Sequence, residues 1–237
     1  MEEGGDRTGR VWPMPGNTGA RFRDMRELTP ERALIFRITH IRNVPWLLRN
    51  GVCCRSGALH DPGFVEIGNP DLIAKRPHRT VPIPPGGNLS DYVPFYFTPH
   101  SPMLLNILTG YNGVVQRTKS EIVVLVSSLH RLAERGVPFV FTDRHAYMLP
   151  ARYFADLADL AQVDWPLLRA RNFKHDPNDP GKKDRYQAEG LVHHAVPVDA
   201  LLAIACANEP AAEEARRMMT AAGVSLKIVV RPDWYFR

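Results

Sequence analysis

The sequence lacks the residue patterns by which proteins usually hold metal ions or phosphate groups. Its three cysteines are the adjacent Cys53 and Cys54 and the remote Cys206, so neither a C-x-x-C zinc pair nor a disulfide framework is expected. None of the nine histidines follows another at the i, i+4 spacing of a helical metal site. The H-E-x-x-H, G-x-G-x-x-G, Walker A and G-x-S-x-G motifs are absent as well. We therefore expect no metal ion and no glycine-rich nucleotide loop.

Long hydrophobic runs are also missing. No window approaches the roughly 18 consecutive apolar residues of a membrane helix, and the first residues contain no apolar segment typical of a secretory signal. Hydrophobic residues make up 44% and charged residues 23% of the 237-residue chain, a balance typical of globular proteins. We expect a cytoplasmic protein with a flexible arm at residues 1–28 and a single domain at residues 29–237. The net charge of +5 is compatible with a polyanionic partner.

Hydrophobic periodicity and turn residues predict strands and helices without a regular βαβ alternation, which is typical of an α+β fold. The expected strands are 33–40, 91–97, 121–126, 139–142, 187–196 and 226–230. The expected helices are 44–50, 70–75, 103–108, 128–135, 152–161, 198–207 and 210–222. Pro94 is expected to place its strand at a sheet edge or to keep it short, and Asn43 is expected to cap the first helix. The polar, proline-broken stretch 164–185 is expected to be a loop.

A glutamate at the entrance of a predicted strand is the first candidate for chemistry. Alternation along that strand places Gln187 and Glu189 on one face, where an amide and a carboxylate are suited to orient a sugar hydroxyl and a nucleophile. The alternative is a solvated strand edge, which is the commoner situation for glutamate.

Basic side chains supply the second group of candidates. Arg37 interrupts an apolar strand and shares a face with Thr39, so it needs either an anionic protein group or a ligand phosphate. Arg76 lies in a basic run that is equally typical of a solvated surface. Arg144 and His145 directly follow a predicted strand, where a capped turn explains them as well as substrate contact does.

Several stretches of the sequence resemble the DarT family, bacterial toxins that ADP-ribosylate DNA. The resemblance covers residues 33–237 and is most specific in DYVPFYF followed by SPML. The matching stretches are ITHIRN (38–43), VPIPPGGNLSDYVPFYFTPHSPML (81–104), PFVFTDRHA (138–146), QAEGLV (187–192) and RPDWYF (231–236). The resemblance implies an ADP-ribosyltransferase fold, in which a split pair of central β-sheets with flanking helices grips NAD⁺ in the cleft between them.

The same resemblance implies roles for individual residues. The catalytic glutamate of the family falls on Glu189, and its catalytic arginine, six residues before the first proline of V-P-x-P-P-G-G, falls on Arg76. With NAD⁺ as co-substrate and no metal, cofactor contacts are expected at Arg37, Ile38, Thr39, Trp46, Cys54 and Arg76. Contacts to DNA are expected at Gln187, Arg144, His145, Arg152, Lys174, Lys182 and Lys183.

The implied activity is transfer of ADP-ribose from NAD⁺ to a base of single-stranded DNA by a monomer. This reaction releases nicotinamide and blocks replication, and a DarG-like macrodomain antitoxin reverses it. Many members have histidine at the position of Arg37. Arginine at this position is typical of the arginine-type transferases, and some of those enzymes modify guanine. Gln187 also stands in members that modify thymine, so guanine and thymine both remain open.

Two other functions remain open at the level of the sequence. One is a single-stranded nucleic-acid-binding module without catalysis. The other is a transferase of the same fold that modifies a protein or a free nucleotide.

Overall fold

The computed structural model describes residues 27–236 of the chain. The arm expected at residues 1–28 therefore lies almost entirely outside the described residues. Within residues 27–236, no helix combines the length and the apolar character that crossing a membrane requires.

The described residues form ten strands and seven α-helices, joined by loops and short 3₁₀ turns. The strands are β1 (Leu34–His40), β2 (Val52–Cys53), β3 (Tyr92–Tyr96), β4 (Ile122–Ser128), β5 (Phe139–Thr142), β6 (Tyr153–Phe154), β7 (Glu189–His193), β8 (Ala195–Val196), β9 (Ala203–Cys206) and β10 (Lys227–Val230). The helices are α1 (Val44–Asn50), α2 (Pro70–Lys75), α3 (Pro102–Thr109), α4 (Leu129–Glu134), α5 (Trp165–Ala170), α6 (Lys182–Arg185) and α7 (Glu209–Ala222).

Eight of these strands form one sheet in the order β10-β9-β4-β1-β3-β7-β5-β6, while β2 and β8 form a small second pair. The centre of the sheet is apolar because β4, with the sequence IVVLVSS, is buried along its whole length and pairs with all seven residues of β1. Strands and helices thus mix without βαβ order. The expected α+β fold is confirmed.

The sheet is divided into two halves between β1 and β3. Within the described residues, these two strands pair at a single position, Phe36 opposite Tyr96. Pro94 of β3 is registered with Leu191 of β7 on one side, and on the other side its carbonyl accepts a hydrogen bond from the Arg37 side chain. Because Pro94 has no N–H, it is tolerated in an interior strand at a place where the β1 side is not paired. The strand is short, as predicted, but it is not the edge of the sheet.

Two helix predictions were wrong. In the range 152–161, Tyr153 and Phe154 pair with the end of β5, and a 3₁₀ helix, Leu157–Gln162, follows. In the range 198–207, the alanine-rich segment forms β9, which lies between β4 and β10 and is fully buried. Tertiary pairing inside the sheet overrides the helical preference of the local composition in both cases.

The strand that carries Glu189 begins later than predicted. Gln187 lies in a turn, and β7 starts at Glu189. Gly190 follows at the place where β7 passes closest to β1, since a Cβ atom there would lie 3.1 Å from Cγ2 of Ile35. His194, with a φ of 59°, then ends the strand. The alternation argument that put Gln187 and Glu189 on one strand face therefore does not apply.

Candidate active site

A cavity of about 580 Å³ opens at the gap between β1 and β3. Its wall includes Arg37 and Thr39 from β1 and Tyr92 and Pro94 from β3. The volume falls in the range that is typical of ligand and cofactor pockets, roughly 300–1,000 Å³. The divergence of two central strands thus creates a ligand-sized space whose wall combines apolar side chains with charged ones.

Glu189 lies beside this cavity, held at both carboxylate oxygens. Its side chain is 2% exposed. Oε1 accepts a hydrogen bond from the backbone N–H of Ala146 at 3.0 Å, and Oε2 accepts one from Nη1 of Arg76 at 3.2 Å. The backbone N–H of Glu189 donates to Oγ1 of Thr142 at 3.1 Å. Burial with these partners excludes a solvated strand edge, so the carboxylate is a fixed acceptor.

Arg76 stands between Glu189 and the cavity. It opens a 3₁₀ turn directly after α2, lines the cavity, and donates from Nε to the carbonyl of Leu89 at 3.4 Å. Its third guanidinium nitrogen, Nη2, is buried and has no hydrogen-bond partner within the described part of the chain. Buried donors are normally satisfied, so this nitrogen is suited to bind a group that enters the cavity.

Arg37 is the second cationic group of the cavity wall. Its Nη1 donates to the carbonyl of Pro94 at 2.9 Å across the gap. Burial, together with the nearby charge of Arg76, lowers the pKa of Arg37 to about 10, although the charge of Glu66 opposes the shift. A pKa of about 10 leaves Arg37 charged at neutral pH, so Arg37 and Arg76 both present positive charge to a ligand in the cavity. Burial and the charge of Glu189 raise the pKa of the neighbouring Tyr96, which stays neutral.

The other expected cofactor residues divide into two sets. Thr39, Trp46 and Cys54 line the cavity, whereas Ile38 belongs to the hydrophobic core. The side chain of Asn43 donates to Oγ1 of Thr39 at 3.1 Å and also bonds the backbone of Val65. These bonds fasten the segment around Val65 to the end of β1 in the cavity wall. Asn43 occupies the N-cap position of α1 as predicted, but its side chain makes no capping hydrogen bond there.

Three of the residues expected to contact DNA cluster next to Glu189. Arg144 and Arg152 both bond the buried carboxylate of Asp143. Nδ1 of His145 lies 3.6 Å from Oε1 of Glu189 and accepts the N–H of Tyr147 at 3.2 Å. Because Nδ1 accepts that bond, the proton of the neutral ring lies on Nε2.

The remaining expected DNA residues lie in the segment 164–187, which contains α5 and α6 and is not a single loop. Lys182 pairs with Asp176 at 3.6 Å, and its side chain is only 15% exposed. Gln187 donates back to the carbonyl of Lys183 at 3.2 Å. Lys174 and Lys183 are exposed. Two exposed cations of the expected set therefore remain on this segment.

Apart from Arg76, the groups that hold Glu189 in place were not predicted from the sequence. The N–H of Ala146 is a backbone donor, so no side-chain pattern announces it. Oγ1 of Thr142 and the carboxylate of Asp143 had a weak signal, since Thr142 ends a predicted strand and Asp143 directly follows it within PFVFTDRHA. Within residues 27–236 there is no group of three or more His, Cys, Asp or Glu side chains arranged to hold a metal ion.

Comparison with known protein families gives this arrangement a context. Residues 36–236 match the family model described as "ssDNA thymidine ADP-ribosyltransferase, DarT". The chain belongs to the DarT family. The match begins within β1 and extends to the 3₁₀ turn after β10, so it includes both walls of the cavity.

Individual relatives agree with the assignment to DarT. The chain is 46% identical over 209 residues to a DNA ADP-ribosyl transferase of Escherichia coli O127:H6, covering 88% of this chain and 96% of the relative. A solved structure of Thermus sp. 2.9 DarT in complex with ADP-ribosylated single-stranded DNA matches with a TM-score of 0.81 and 36% identity, over 87% of this chain and 98% of the other. The same protein in complex with NAD⁺ matches with a TM-score of 0.76 and 36% identity, over 87% and 99%.

Proposed function

We propose that this DarT-family protein breaks the nicotinamide–ribose bond of NAD⁺ and transfers ADP-ribose to a base of single-stranded DNA. The observation that carries the proposal is the buried Glu189, held by Arg76 and by the N–H of Ala146 beside a ligand-sized cavity. A binding module for a polyanion gains nothing from a buried carboxylate. That geometry favours catalysis over the non-catalytic alternative.

Glu189 is the group proposed to act on the sugar. Breaking the bond between ribose and nicotinamide places positive charge on the ribose, as in glycoside cleavage. A carboxylate that accepts the ribose 2′-hydroxyl stabilises that charge, and one that is already fixed does so without reorganisation. Since Arg76 covers Oε2, we infer that its guanidinium turns toward the ligand when NAD⁺ enters. Nη2, which is buried without a partner in the described chain, then gains one.

Arg37 is proposed to bind the pyrophosphate of NAD⁺. A guanidinium offers two parallel N–H donors to a phosphate, which the single ammonium group of lysine does not. Arg37→Lys is therefore expected to weaken NAD⁺ binding by about 10-fold or more, the scale of one lost hydrogen bond to a charged group. Isothermal titration with NAD⁺ measures this directly. The matched control is Arg42→Lys, at an exposed position just after β1, and equal affinity of the two variants would reject the phosphate role.

Thymidine is the proposed acceptor base. The family description names thymidine, and the chain matches that model from β1 onward. Three oligonucleotides of one otherwise adenine-only sequence, carrying a single thymine, a single guanine or neither, distinguish the bases. We expect ADP-ribose on the thymine oligonucleotide alone. Labelling of guanine instead would place the protein in the guanine-directed branch, and labelling of protein or free nucleotide would support the other transferase reading.

The DNA path is proposed to run past Arg144, His145 and Arg152 and on to the exposed cations of the segment 164–187. Replacing the two exposed lysines of this segment, with Lys174→Ala and Lys183→Ala, is expected to weaken the binding of single-stranded DNA. The affinity for DNA should then also depend less steeply on salt concentration. The slope of log K against log salt should shrink by roughly 0.7 for each lost phosphate contact. Fluorescence anisotropy with a labelled oligonucleotide at several salt concentrations measures the slope.

A control for this prediction removes the same number of cations elsewhere. Arg216→Ala with Arg217→Ala changes two exposed arginines of α7, at the β9–β10 end of the sheet. Hydrolysis of NAD⁺ without DNA should be unchanged in both double variants. An unaltered salt slope in the lysine variant would mean that this segment is only connective.

The biological setting follows from the family resemblance. A macrodomain antitoxin of the DarG type is the proposed partner, since it would remove the modification from DNA. The proposed consequence of the modification is a block to replication in the cytoplasm, caused by a monomeric enzyme.

A further inference from the structure

The carboxylate of Asp143 closes the loop 143–152. Asp143 is 2% exposed. Its Oδ1 accepts the backbone N–H of Arg152 at 3.0 Å, and its Oδ2 accepts Nε of the same residue at 3.0 Å. Nε and Nη2 of Arg144 lie 3.2 and 3.3 Å from the same two oxygens. Burial raises the pKa of Asp143, but the bonds from Arg144 and Arg152 outweigh it and leave the pKa below its ordinary value.

The loop that Asp143 closes carries the backbone N–H that holds Glu189. Ala146, three residues after Asp143, donates to Oε1 of Glu189 at 3.0 Å. Thr142, directly before Asp143, connects the loop to β7, because its hydroxyl accepts the N–H of Glu189 at 3.1 Å and donates to the carbonyl of Arg144 at 2.6 Å. The position of the Ala146 N–H relative to Glu189 is thus fixed from one side by β7 and from the other by loop closure.

The Ala146 donor gains importance when the cavity is occupied. The contact of Glu189 with Arg76 joins it to a side chain of the cavity wall, and that contact opens if Arg76 turns to a ligand. The N–H of Ala146 would then be the donor that keeps the carboxylate from rotating. Misplacing a reacting group by about 1 Å can cost on the order of 10²-fold in rate.

We propose that Asp143 is a positioning residue for the transfer reaction. By closing the loop 143–152 it holds the N–H of Ala146 on Oε1 of Glu189 and so orients the carboxylate toward the ribose. This inference rests on the proposed function, because it assigns Glu189 to catalysis. Asp143 bonds Arg144 and Arg152, and it acts through Glu189.

Asp143→Asn tests the proposal, since asparagine keeps the size and loses the charge and one acceptor oxygen. We expect kcat for NAD⁺ hydrolysis without DNA to fall by about 10-fold per folded molecule, with KM for NAD⁺ unchanged within about 2-fold. Leaving DNA out removes any contribution of Arg144 and Arg152 to DNA binding. Asp199→Asn, at an exposed ion pair with Arg135, is the matched control.

A double-mutant cycle distinguishes positioning from a structural role. If Asp143 acts through Glu189, then Asp143→Asn in a Glu189→Gln background should lower the residual rate by less than about 2-fold. A purely structural role would lower the melting temperature with a normal rate per folded molecule. An effect confined to KM for DNA would assign Asp143 to the presentation of Arg144 and Arg152. Either result would overturn the proposal.

Two further measurements also test the proposal. The first uses a variant other than Asp143→Asn, and the second does not depend on activity. If Asp143→Asn does not fold, Arg152→Gln removes one bond to Asp143 from a side chain that is 60% exposed, and the same non-additivity with Glu189→Gln is expected. By NMR, the amide proton of Ala146 should move upfield and exchange faster in the Asp143 variant. An unchanged chemical shift and exchange rate of the Ala146 amide proton would reject the positioning role. An inactive wild-type protein would instead reject the proposed function.

Discussion

Replacing Glu189 by glutamine should lower ADP-ribose transfer by about 10²-fold or more while leaving the fold intact. Glutamine has the same shape, and its carbonyl oxygen still accepts the N–H of Ala146, which lies 3.0 Å from Oε1. It lacks the negative charge that stabilises the positive charge on the ribose, and losing one such fixed interaction typically costs 10²- to 10³-fold in rate. Loss of the charge also removes the ion pair with Arg76.

The measurement is the rate of oligonucleotide modification by wild type and variant at equal folded concentration, verified by circular dichroism. Glu134→Gln is the matched control, because Glu134 lies on α4 in an exposed ion pair with Arg131. Near-normal transfer by the Glu189 variant would remove this residue from the mechanism. A loss of folded protein would show that the carboxylate matters for stability instead.

Replacing Arg76 by lysine should also lower transfer by about 10²-fold, although the charge is kept. Arg76 uses Nε for the carbonyl of Leu89 and Nη1 for Glu189, and keeps Nη2 at the cavity. One ammonium nitrogen at the end of a flexible stem does not bond all three groups in one geometry. We expect both the hydrolysis of NAD⁺ and the transfer to DNA to fall, because Arg76 is proposed to act on both substrates.

Arg49→Lys is the control for Arg76, since Arg49 is exposed on α1 and bonds the carbonyl of Pro45. Steady-state rates of nicotinamide release, with and without an oligonucleotide, give both activities. If the lysine variant hydrolyses NAD⁺ normally and fails only in transfer, Arg76 serves the DNA base and not the cofactor. Normal rates in both reactions would leave it with only a structural role.

The sequence contained enough to predict the main elements around the site. Alternating and continuous apolar runs predicted β1, β4 and β5, and hydrophobic periodicity with turn residues placed α1, α3 and α7 close to their true bounds. Arg37 is unusual in an apolar strand, and that irregularity marked the cavity wall correctly. Its role as a phosphate ligand stays a prediction until NAD⁺ affinity is measured.

Other features depend on tertiary structure and could not be read from local patterns. The segment that forms β9 has the composition of a helix, and only its place between β4 and β10 makes it a strand. The divergence of β1 from β3 depends on where Pro94 lies relative to its neighbours. The N–H of Ala146 is a backbone group, so its contact with Glu189 appears only once the loop after β5 is folded against β7.

Intact-mass spectrometry of a thymine-containing oligonucleotide incubated with NAD⁺ tests the central claim most directly. With wild-type protein we predict a mass increase of one ADP-ribosyl group and an equal amount of released nicotinamide, and with the Glu189→Gln variant almost none. An oligonucleotide that stays unmodified while wild-type protein consumes NAD⁺ or labels a protein instead would contradict the account.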